Sequence, residues 1–262
     1  MTSLKFLHRA HDEAESRAEL EATHTPEAIR VRLEASSRES YLKDFIYGAI
    51  DGAVTTFAVV AGVVGAALDN IIIVILGVAN LVADGFSMAI SNYLGSRAEA
   101  EQRDKARRSE TRHIEKYPEG EKEEIRQIFA RKGFSGEDLE RVVDVITSDQ
   151  DLWLETMLHE EFGIPRHGPV PWKAGVATFM AFVVIGSVPL LAYIMQALLP
   201  GLTIRPFFIS CVLTGAAFFL VGAWKAKVVE QAWWRGGLET LLVGGSAAVL
   251  AYIAGHLLRG LA

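Results

Sequence analysis

Five long apolar stretches alternate with polar stretches along this chain of 262 residues. A transmembrane helix needs about 20 mostly apolar residues, and each of the five stretches reaches that length. They span residues 41–68, 71–95, 172–199, 206–224 and 236–258. In the first of them, Gly48 and Gly52 form a small-xxx-small pair that predicts the close approach of another helix. The pattern predicts an all-α membrane protein with five transmembrane helices.

The polar sequence lies in two blocks, at the N-terminus and between the second and third apolar stretches. Helix breakers divide the second block into three predicted helices, so that a helical domain is inserted between transmembrane helices 2 and 3. The third of these helices begins at the predicted N-cap Ser135, and a break within it, before the stretch LWLETMLHEEFGIP, is left open. The predicted organisation is an acidic N-terminal arm in residues 1–40, transmembrane helices 1 and 2 in 41–95, the helical domain in 96–166 and transmembrane helices 3 to 5 in 167–262.

Lys and Arg residues near the ends of the apolar stretches predict the orientation. They are concentrated before the first stretch, after the second, and between the fourth and fifth. Because cytoplasmic loops carry this excess, the N-terminus and the helical domain are predicted to be cytoplasmic. The residues that carry this argument are Arg30, Arg32, Arg38, Lys43, Arg97, Arg103, Lys105, Arg107, Arg108, Lys225, Lys227 and Arg235.

Net charge and cysteine content exclude two kinds of function. The net charge of −6 lies mainly in the polar blocks and argues against a nucleic-acid partner. Cys211 is the only cysteine, so neither a disulfide nor a cysteine metal site can form within one chain. Any metal chemistry must therefore use carboxylate, imidazole, amide or thioether groups.

A polar stripe lies on each of the first two apolar stretches. Asp44, Asp51 and Thr55 are seven and four residues apart, so they share one helix face. Carboxylates supply charge for a divalent cation, and a thioether is a soft ligand that suits transition metals. The two stripes predict a metal path along the membrane normal. The second stripe repeats at every fourth position and consists of Asn80, Asp84 and Met88.

Acids inside a membrane helix need an explanation. A charge at the helix centre costs about 2.5–3.5 kcal/mol on insertion scales, so an acid inside a membrane helix usually has a functional role. We interpret Asp51 and Asp84 in this way, and each can also carry a proton. The alternative is structural: Asp44 lies near a helix end among lipid headgroups, and Met88 serves packing.

Candidate metal ligands also recur on helix faces of the 96–166 domain, at spacings of three and four residues. Oxygen and imidazole ligands gathered in a helical bundle suit Fe²⁺, Mn²⁺ or Zn²⁺. The alternative is a solvated charged face, because soluble helices are rich in such spacings. The direct tether to the polar membrane stripes favours a metal-binding domain. The pairs are Glu110 with His113, Glu121 with Glu124, and Met157 with Glu161.

Four segments resemble the vacuolar iron transporter family. They read DFIYGAIDGAVTTFAVVAGVVGA, LGVANLVADGFSMAISNYLGSRAEAE, YPEGEKEE and WLETMLHEEFGI, in that order. The resemblance implies a homodimer in the lipid bilayer, with five membrane helices per chain and a metal path at the dimer interface. It implies transport of Fe²⁺, and often Mn²⁺, out of the cytosol in exchange for protons, without a permanent cofactor. The residues it matches are Asp44, Asp51 and Met88 in the path and Glu110, Glu121, Glu124, Met157 and Glu161 as cytoplasmic ligands.

Two residues depart from the family pattern. His113 stands where a glutamate is expected, and its titration near neutral pH would make metal loading more sensitive to pH. Asn80 stands where some relatives have an acid, which removes a charge from the path. These departures leave open the preference among Fe²⁺, Mn²⁺, Zn²⁺ and Co²⁺ and the number of protons moved.

The hypothesis from the sequence is a proton-coupled exporter of Fe²⁺ and Mn²⁺ from the cytosol. One alternative is a membrane-bound di-iron ferroxidase, because Glu-x-x-His is half of a ferritin-like ligand signature. Only Glu110 and His113 supply that motif clearly, so further ligands would have to come from a second chain. Another alternative is a membrane scaffold without transport. The length and the N-terminal sequence favour a bacterial plasma membrane over a vacuolar one.

Overall fold

A computed structural model describes residues 17–36, 40–165, 168–199 and 205–261. Within these ranges the chain is all-helical and contains no strand. In chain order the helices are α1 (Arg17–Thr23), α2 (Pro26–Ser36), α3 (Leu42–Gly65), α4 (Asn70–Lys116), α5 (Pro118–Arg131), α6 (Gly136–Thr147), α7 (Gln150–Glu160), α8 (Pro171–Gly186), α9 (Leu191–Leu198), α10 (Pro206–Val228) and α11 (Trp233–Leu258).

Helices α1 and α2 belong to a compact N-terminal unit that ends at Glu39. An ion pair of 2.6 Å joins Arg30 to Glu27, one turn apart on α2. Residues 1–16 and 37–39 of the predicted acidic arm lie outside the described residues. The second compact unit begins at Ser40 and contains all the other helices.

Five spans in the second unit are long and apolar enough to cross a membrane, as predicted. They are α3, the first part of α4, α8 together with α9, α10, and α11. The third span differs from the prediction of one regular helix, because it is interrupted by a 3₁₀ turn at Val188–Leu190. Pro189 lies in this turn and has no backbone N–H to donate, which explains the interruption.

Helix α3 packs against α4, α8, α10 and α11 and so occupies the centre of the membrane bundle. Its contact with α8 depends on two glycines. A Cβ atom on Gly48 would lie 2.3 Å from the carbonyl oxygen of Thr178, and one on Gly52 would lie 2.5 Å from that of Phe182. No larger residue fits at these distances, so the predicted small-xxx-small contact is confirmed.

The polar helical domain is built from the end of α4 together with α5, α6 and α7. Its apolar core includes Ile114, Ile125, Val143 and Met157, at least one from each of these helices. The first of the three predicted helices is the uninterrupted continuation of α4, because no proline lies between the membrane span and Lys116. The sequence left open a break within the third predicted helix. The structure has that break, because the Asp149 side chain caps the start of α7.

Candidate metal site and polar membrane path

Glu110, His113 and Glu121 bring three potential metal ligands together where α4 meets α5. Their ligand atoms all lie within 4.8 Å of one another. The chain turns at Tyr117 and Pro118, which brings the first turn of α5 back against the last turns of α4. The Nδ1 atom of His113 lies 3.3 Å from Oε1 of Glu110 and 3.6 Å from Oε1 of Glu121. This donor set suits Fe²⁺, Mn²⁺ or Zn²⁺.

Burial determines the electrostatics of this three-residue cluster. Glu110 is 2% exposed and Glu121 is 6% exposed, whereas the His113 side chain is 53% exposed. Burial, and then the charges of Glu124 and Glu110, raise the pKa of Glu121 from 4.5 to about 7. Burial and the charge of Glu161 also raise the pKa of Glu110. Because Oε2 of Glu121 is buried without a hydrogen-bond partner, a cation or a proton is needed to satisfy it.

The other three predicted ligands, Glu124, Met157 and Glu161, lie outside the three-residue cluster. Burial, and then the charges of Glu124 and Glu121, raise the pKa of Glu161, so these three acids interact electrostatically. Neither Glu124 nor Glu161 is among the three residues whose ligand atoms converge. Met157 is fully buried and packs in the apolar core of the domain. The roles of these three residues as metal ligands remain predictions.

Other acids of the domain follow the alternative of a solvated charged face. Arg126 forms ion pairs with Glu123 and, at 2.8 Å, with Glu140. Hydrogen bonds from Arg126 lower the pKa of both carboxyl groups. Lys122 pairs with Asp144 at 2.7 Å. The contrast is informative, because Glu110 and Glu121 of the cluster have raised pKa values, whereas Glu123 and Glu140 have lowered ones.

In the membrane region, the predicted stripes of α3 and α4 meet at the contact of the two helices. The Nδ2 atom of Asn80 donates to the hydroxyl oxygens of Thr55 and Thr56, at 3.2 and 3.3 Å. Thr55 in turn donates to the carbonyl oxygen of Asp51, at 2.9 Å. The carboxylate of Asp84 lies close enough to act electrostatically on that of Asp51. We call this set of polar groups, from Asp51 and Thr55 on α3 and Asn80 and Asp84 on α4, the polar path.

Asp84 and Met88 differ in their surroundings. Asp84 is exposed on the single chain, although it belongs to a membrane-spanning stretch. Met88 is half-buried and packs against the apolar core of the membrane bundle. Within the described residues 40–165, 168–199 and 205–261, no hydrogen bond or ion pair holds the carboxylate of Asp84. Because a carboxylate facing hydrocarbon is costly, Asp84 needs water or a further polar neighbour.

Asp44 is held by a residue that was not among the predicted site residues. The Nδ2 atom of Asn92, on α4, donates to Oδ1 of Asp44 at 2.8 Å and to the hydroxyl oxygen of Thr178 at 2.7 Å. A signal for Asn92 exists in the sequence, since it continues the every-fourth-residue stripe beyond Met88. Thr178 has no such signal, because a single threonine in an apolar helix is common.

The fold and the site define a class: an integral membrane protein with five spanning helices and an acid–histidine cluster on the extension of the second span. The family is shown by direct comparison. The chain belongs to the VIT family, whose model matches residues 42–256.

Curated relatives agree with this assignment. A vacuolar iron transporter of Toxoplasma gondii is 31% identical, over 99% of this chain and 90% of that protein. One from Plasmodium falciparum is 30% identical, over 83% of this chain and 82% of its own length. Vacuolar iron transporter 1 of Arabidopsis thaliana is 29% identical, over 80% and 83%.

The resemblance predicted from the sequence is thus confirmed, and the family is one of transporters rather than enzymes. The ferroxidase alternative is not favoured. The relatives' names place them in vacuoles, and nothing in these names supports the predicted preference for a bacterial plasma membrane.

Proposed function

We propose that this chain moves Fe²⁺, and also Mn²⁺, out of the cytosol in exchange for protons. The observation that carries the proposal is the arrangement along α4. One end of this helix bears Glu110 and His113 of the three-residue cluster, and the other bears Asn80 and Asp84 of the polar path. The names of the relatives support iron as the cargo. A single helix thereby connects a site that gathers metal to a route through the membrane.

The proposed route begins in the polar domain, which lies in the cytosol together with the N-terminus. Glu110, His113 and Glu121 hold the ion first, and Glu124 and Glu161 close around it, with Met157 as a soft ligand from the core side. The ion then passes to Asp44, where α3 begins. From there it reaches the level of Asp51, Asn80, Asp84 and Met88.

A homodimer would complete this route. The support is the exposed carboxylate of Asp84, which a second copy of the chain would remove from hydrocarbon. Two copies related by a two-fold axis would place two Asp84 side chains and two α4 helices around one polar interior. The charge of each Asp84 would then add to that of Asp51 at the same level of the membrane.

Proton exchange follows from the chemistry of the ligands. A carboxylate that binds a divalent ion must be ionised, so protons and metal compete for it. On the far side, protonation of Asp51 helps to release the ion, and a neutral acid returns through the membrane at lower cost than a charged one. Each turnover would thus move metal outward and protons inward.

The test is flux into liposomes that contain the purified protein, with the internal pH recorded. We expect uptake of Fe²⁺ and Mn²⁺ to be coupled to proton movement in the opposite direction, with Co²⁺ and Zn²⁺ as selectivity probes. Asp51→Asn should abolish both, whereas Asp69→Asn, a matched control in the turn before α4, should not. Metal uptake without a pH change would disprove the antiport, and no uptake of any of the four ions would disprove transport.

The ferroxidase alternative can be tested in the same preparation. Oxygen consumption on addition of Fe²⁺ would support it, whereas uptake of unoxidised Fe²⁺ supports the transporter. Location is tested separately by expressing a tagged chain in its host cell. The relatives' names favour a vacuolar membrane, and a signal at the plasma membrane would instead favour the location expected from the sequence.

A further inference from the structure

Asn92 joins three membrane helices at the entrance of the polar path. Its Nδ2 atom lies 2.8 Å from Oδ1 of Asp44 on α3, and 2.7 Å from the hydroxyl oxygen of Thr178 on α8. It also lies 3.3 Å from the carbonyl oxygen of Ala174. Thr178 is 1% exposed, and its hydroxyl group donates to the backbone carbonyl of Asp44 at 3.3 Å. Side chain and backbone of Asp44 are therefore both fixed from neighbouring helices.

We propose that Asn92 is a positioning residue for metal entry, which holds the Asp44 carboxylate with one oxygen occupied and the other free for the ion. The inference rests on the proposed function, since Asp44 is the entrance ligand of that route. It assigns to Asn92 and Thr178 a role in transport rather than in packing alone. Asn92 acts through Asp44 and does not itself bind the metal.

The chemistry of the carboxamide fixes its orientation. An NH₂ group has two hydrogens to donate, and here it faces a carboxylate oxygen, a hydroxyl oxygen and a carbonyl oxygen. Turning the amide over would place its own oxygen against those of Asp44 and Ala174, which is repulsive. On the other side, the Oδ1 atom of Asn92 accepts from Ser96 at 3.5 Å. The network therefore requires Asn92 to donate to Asp44.

Asn92 is the partner that fixes this acid, because the neighbouring cation is engaged elsewhere. The ammonium group of Lys43 lies 5.8 Å from the ring centre of Tyr47. Among residues 40–165, 168–199 and 205–261, no Lys or Arg forms an ion pair with Asp44. A neutral donor holds a carboxylate in place without cancelling its charge, so Asp44 keeps its attraction for a divalent cation.

Occupation of one carboxylate oxygen limits how Asp44 can bind metal. A carboxylate can bind a cation through one or both oxygens, and each oxygen has two lone pairs. The hydrogen bond from Asn92 takes one lone pair of Oδ1, so Oδ2 is the oxygen that remains fully available to the ion. Such a ligand captures an ion without enclosing it, which suits a site that must pass the ion on.

The experiment measures Mn²⁺ uptake by liposomes that contain the full-length protein, as KM and kcat. We expect Asn92→Ala to raise KM about tenfold and to leave kcat unchanged. The reason is that loss of a hydrogen bond to a charged group changes an affinity by about tenfold. The matched control is Asn70→Ala, at the other end of α4, where the amide donates to Gln196. This control should leave KM unchanged.

A double-mutant cycle separates positioning from packing. If Asn92 acts through Asp44, Asn92→Ala adds no further rise in KM in the Asp44→Ala background. Multiplying effects, or an unchanged KM in the single variant, would overturn the inference. Thr178→Val provides a second variant if Asn92→Ala does not fold, and it should raise KM in the wild-type background alone. If the wild-type protein moves no metal, the proposed function fails first and this inference fails with it.

Discussion

The Nδ1 atom of His113 lies 3.6 Å from Oε1 of Glu121, across the contact of α4 with α5. The imidazole is half-exposed and the carboxylate is buried. In the proposed function, an arriving ion would meet the histidine on the solvent side and the two glutamates, Glu110 and Glu121, on the protein side. The cluster is therefore open to solvent on the side of His113. Its protonation state can be tested by varying the pH.

Metal binding should weaken at acidic pH, because Glu121 must lose a proton to bind. Its pKa is raised to about 7, so the carboxyl group is mostly ionised at pH 8 and mostly protonated at pH 6. We expect the affinity of the purified protein for Mn²⁺ to fall about tenfold between these two values from this group alone. Calorimetry at a series of pH values measures the change. An affinity independent of pH would show that Glu121 does not bind the ion.

Without metal, the same carboxyl group should make the protein less stable as the pH rises. Glu121 has a pKa of about 7 in the folded protein and of 4.5 as its ordinary value. The folded state thus binds the proton more tightly, and its contribution to stability is complete below pH 4.5 and is lost as the pH passes 7. The loss by pH 8 is about 3 kcal/mol.

Glu121→Gln should remove this loss and raise the unfolding temperature of the metal-free protein at pH 8. Glu119→Gln on the same helix is the matched control, since Glu119 is exposed. Addition of Mn²⁺ should reverse the order, because only the wild-type site gains from binding. A Gln variant that is less stable than wild type at pH 8 without metal would contradict the raised pKa.

His113 should influence which metal the cluster prefers. Imidazole suits Zn²⁺ and Fe²⁺, whereas carboxylate oxygens suit Mn²⁺. We expect His113→Glu to shift the ratio of affinities toward Mn²⁺ and away from Zn²⁺, as measured by competition between the two ions. Because His113 is half-exposed, the change should leave the unfolding temperature nearly constant. An unaltered ratio would place His113 outside the set of ligands.

Gly52 should not tolerate a methyl group. A Cβ atom there would lie 2.5 Å from the carbonyl oxygen of Phe182 and would push α3 away from α8. Overpacking of this kind costs about 1–3 kcal/mol, so Gly52→Ala should lower the unfolding temperature and the transport rate. Gly245→Ala is the control, since its Cβ would meet no atom within 4 Å. Equal stability of the two variants would disprove the close contact.

Hydrophobic pattern alone predicted much of the fold. Five apolar stretches became five spans, and the Gly48 and Gly52 spacing predicted a close helix contact, because both signals are local properties of one helix. The interruption at Pro189 was not predicted, since a proline within an apolar stretch does not reveal whether the helix bends or breaks. Nor did the pattern predict that α4 continues through the membrane boundary, because a change in polarity is not a helix breaker.

The site was predictable to a similar extent. Spacing paired Glu110 with His113 and Glu121 with Glu124, and the structure places Glu121 beside the first pair. The pairing of Glu123 with Arg126 follows from their spacing of three residues, whereas the pairing of Arg126 with Glu140 joins two helices and cannot be read from spacing. Asn92 was missed although its position continues the α4 stripe, since the importance of an amide depends on the acid it faces.

The 47 residues of α4 form one continuous helix from Asn70 to Lys116, about 70 Å long at 1.5 Å per residue. The proposed ligands Glu110 and His113 and the residues Asp84 and Asn92 of the proposed route are thus carried by one continuous helix. A tilt imposed at the far end by closure of the acids around a cation would displace Asp84 and Asn92 as well, unless the helix bends. Binding of metal at the three-residue cluster would then be coupled mechanically to a movement of the residues in the membrane.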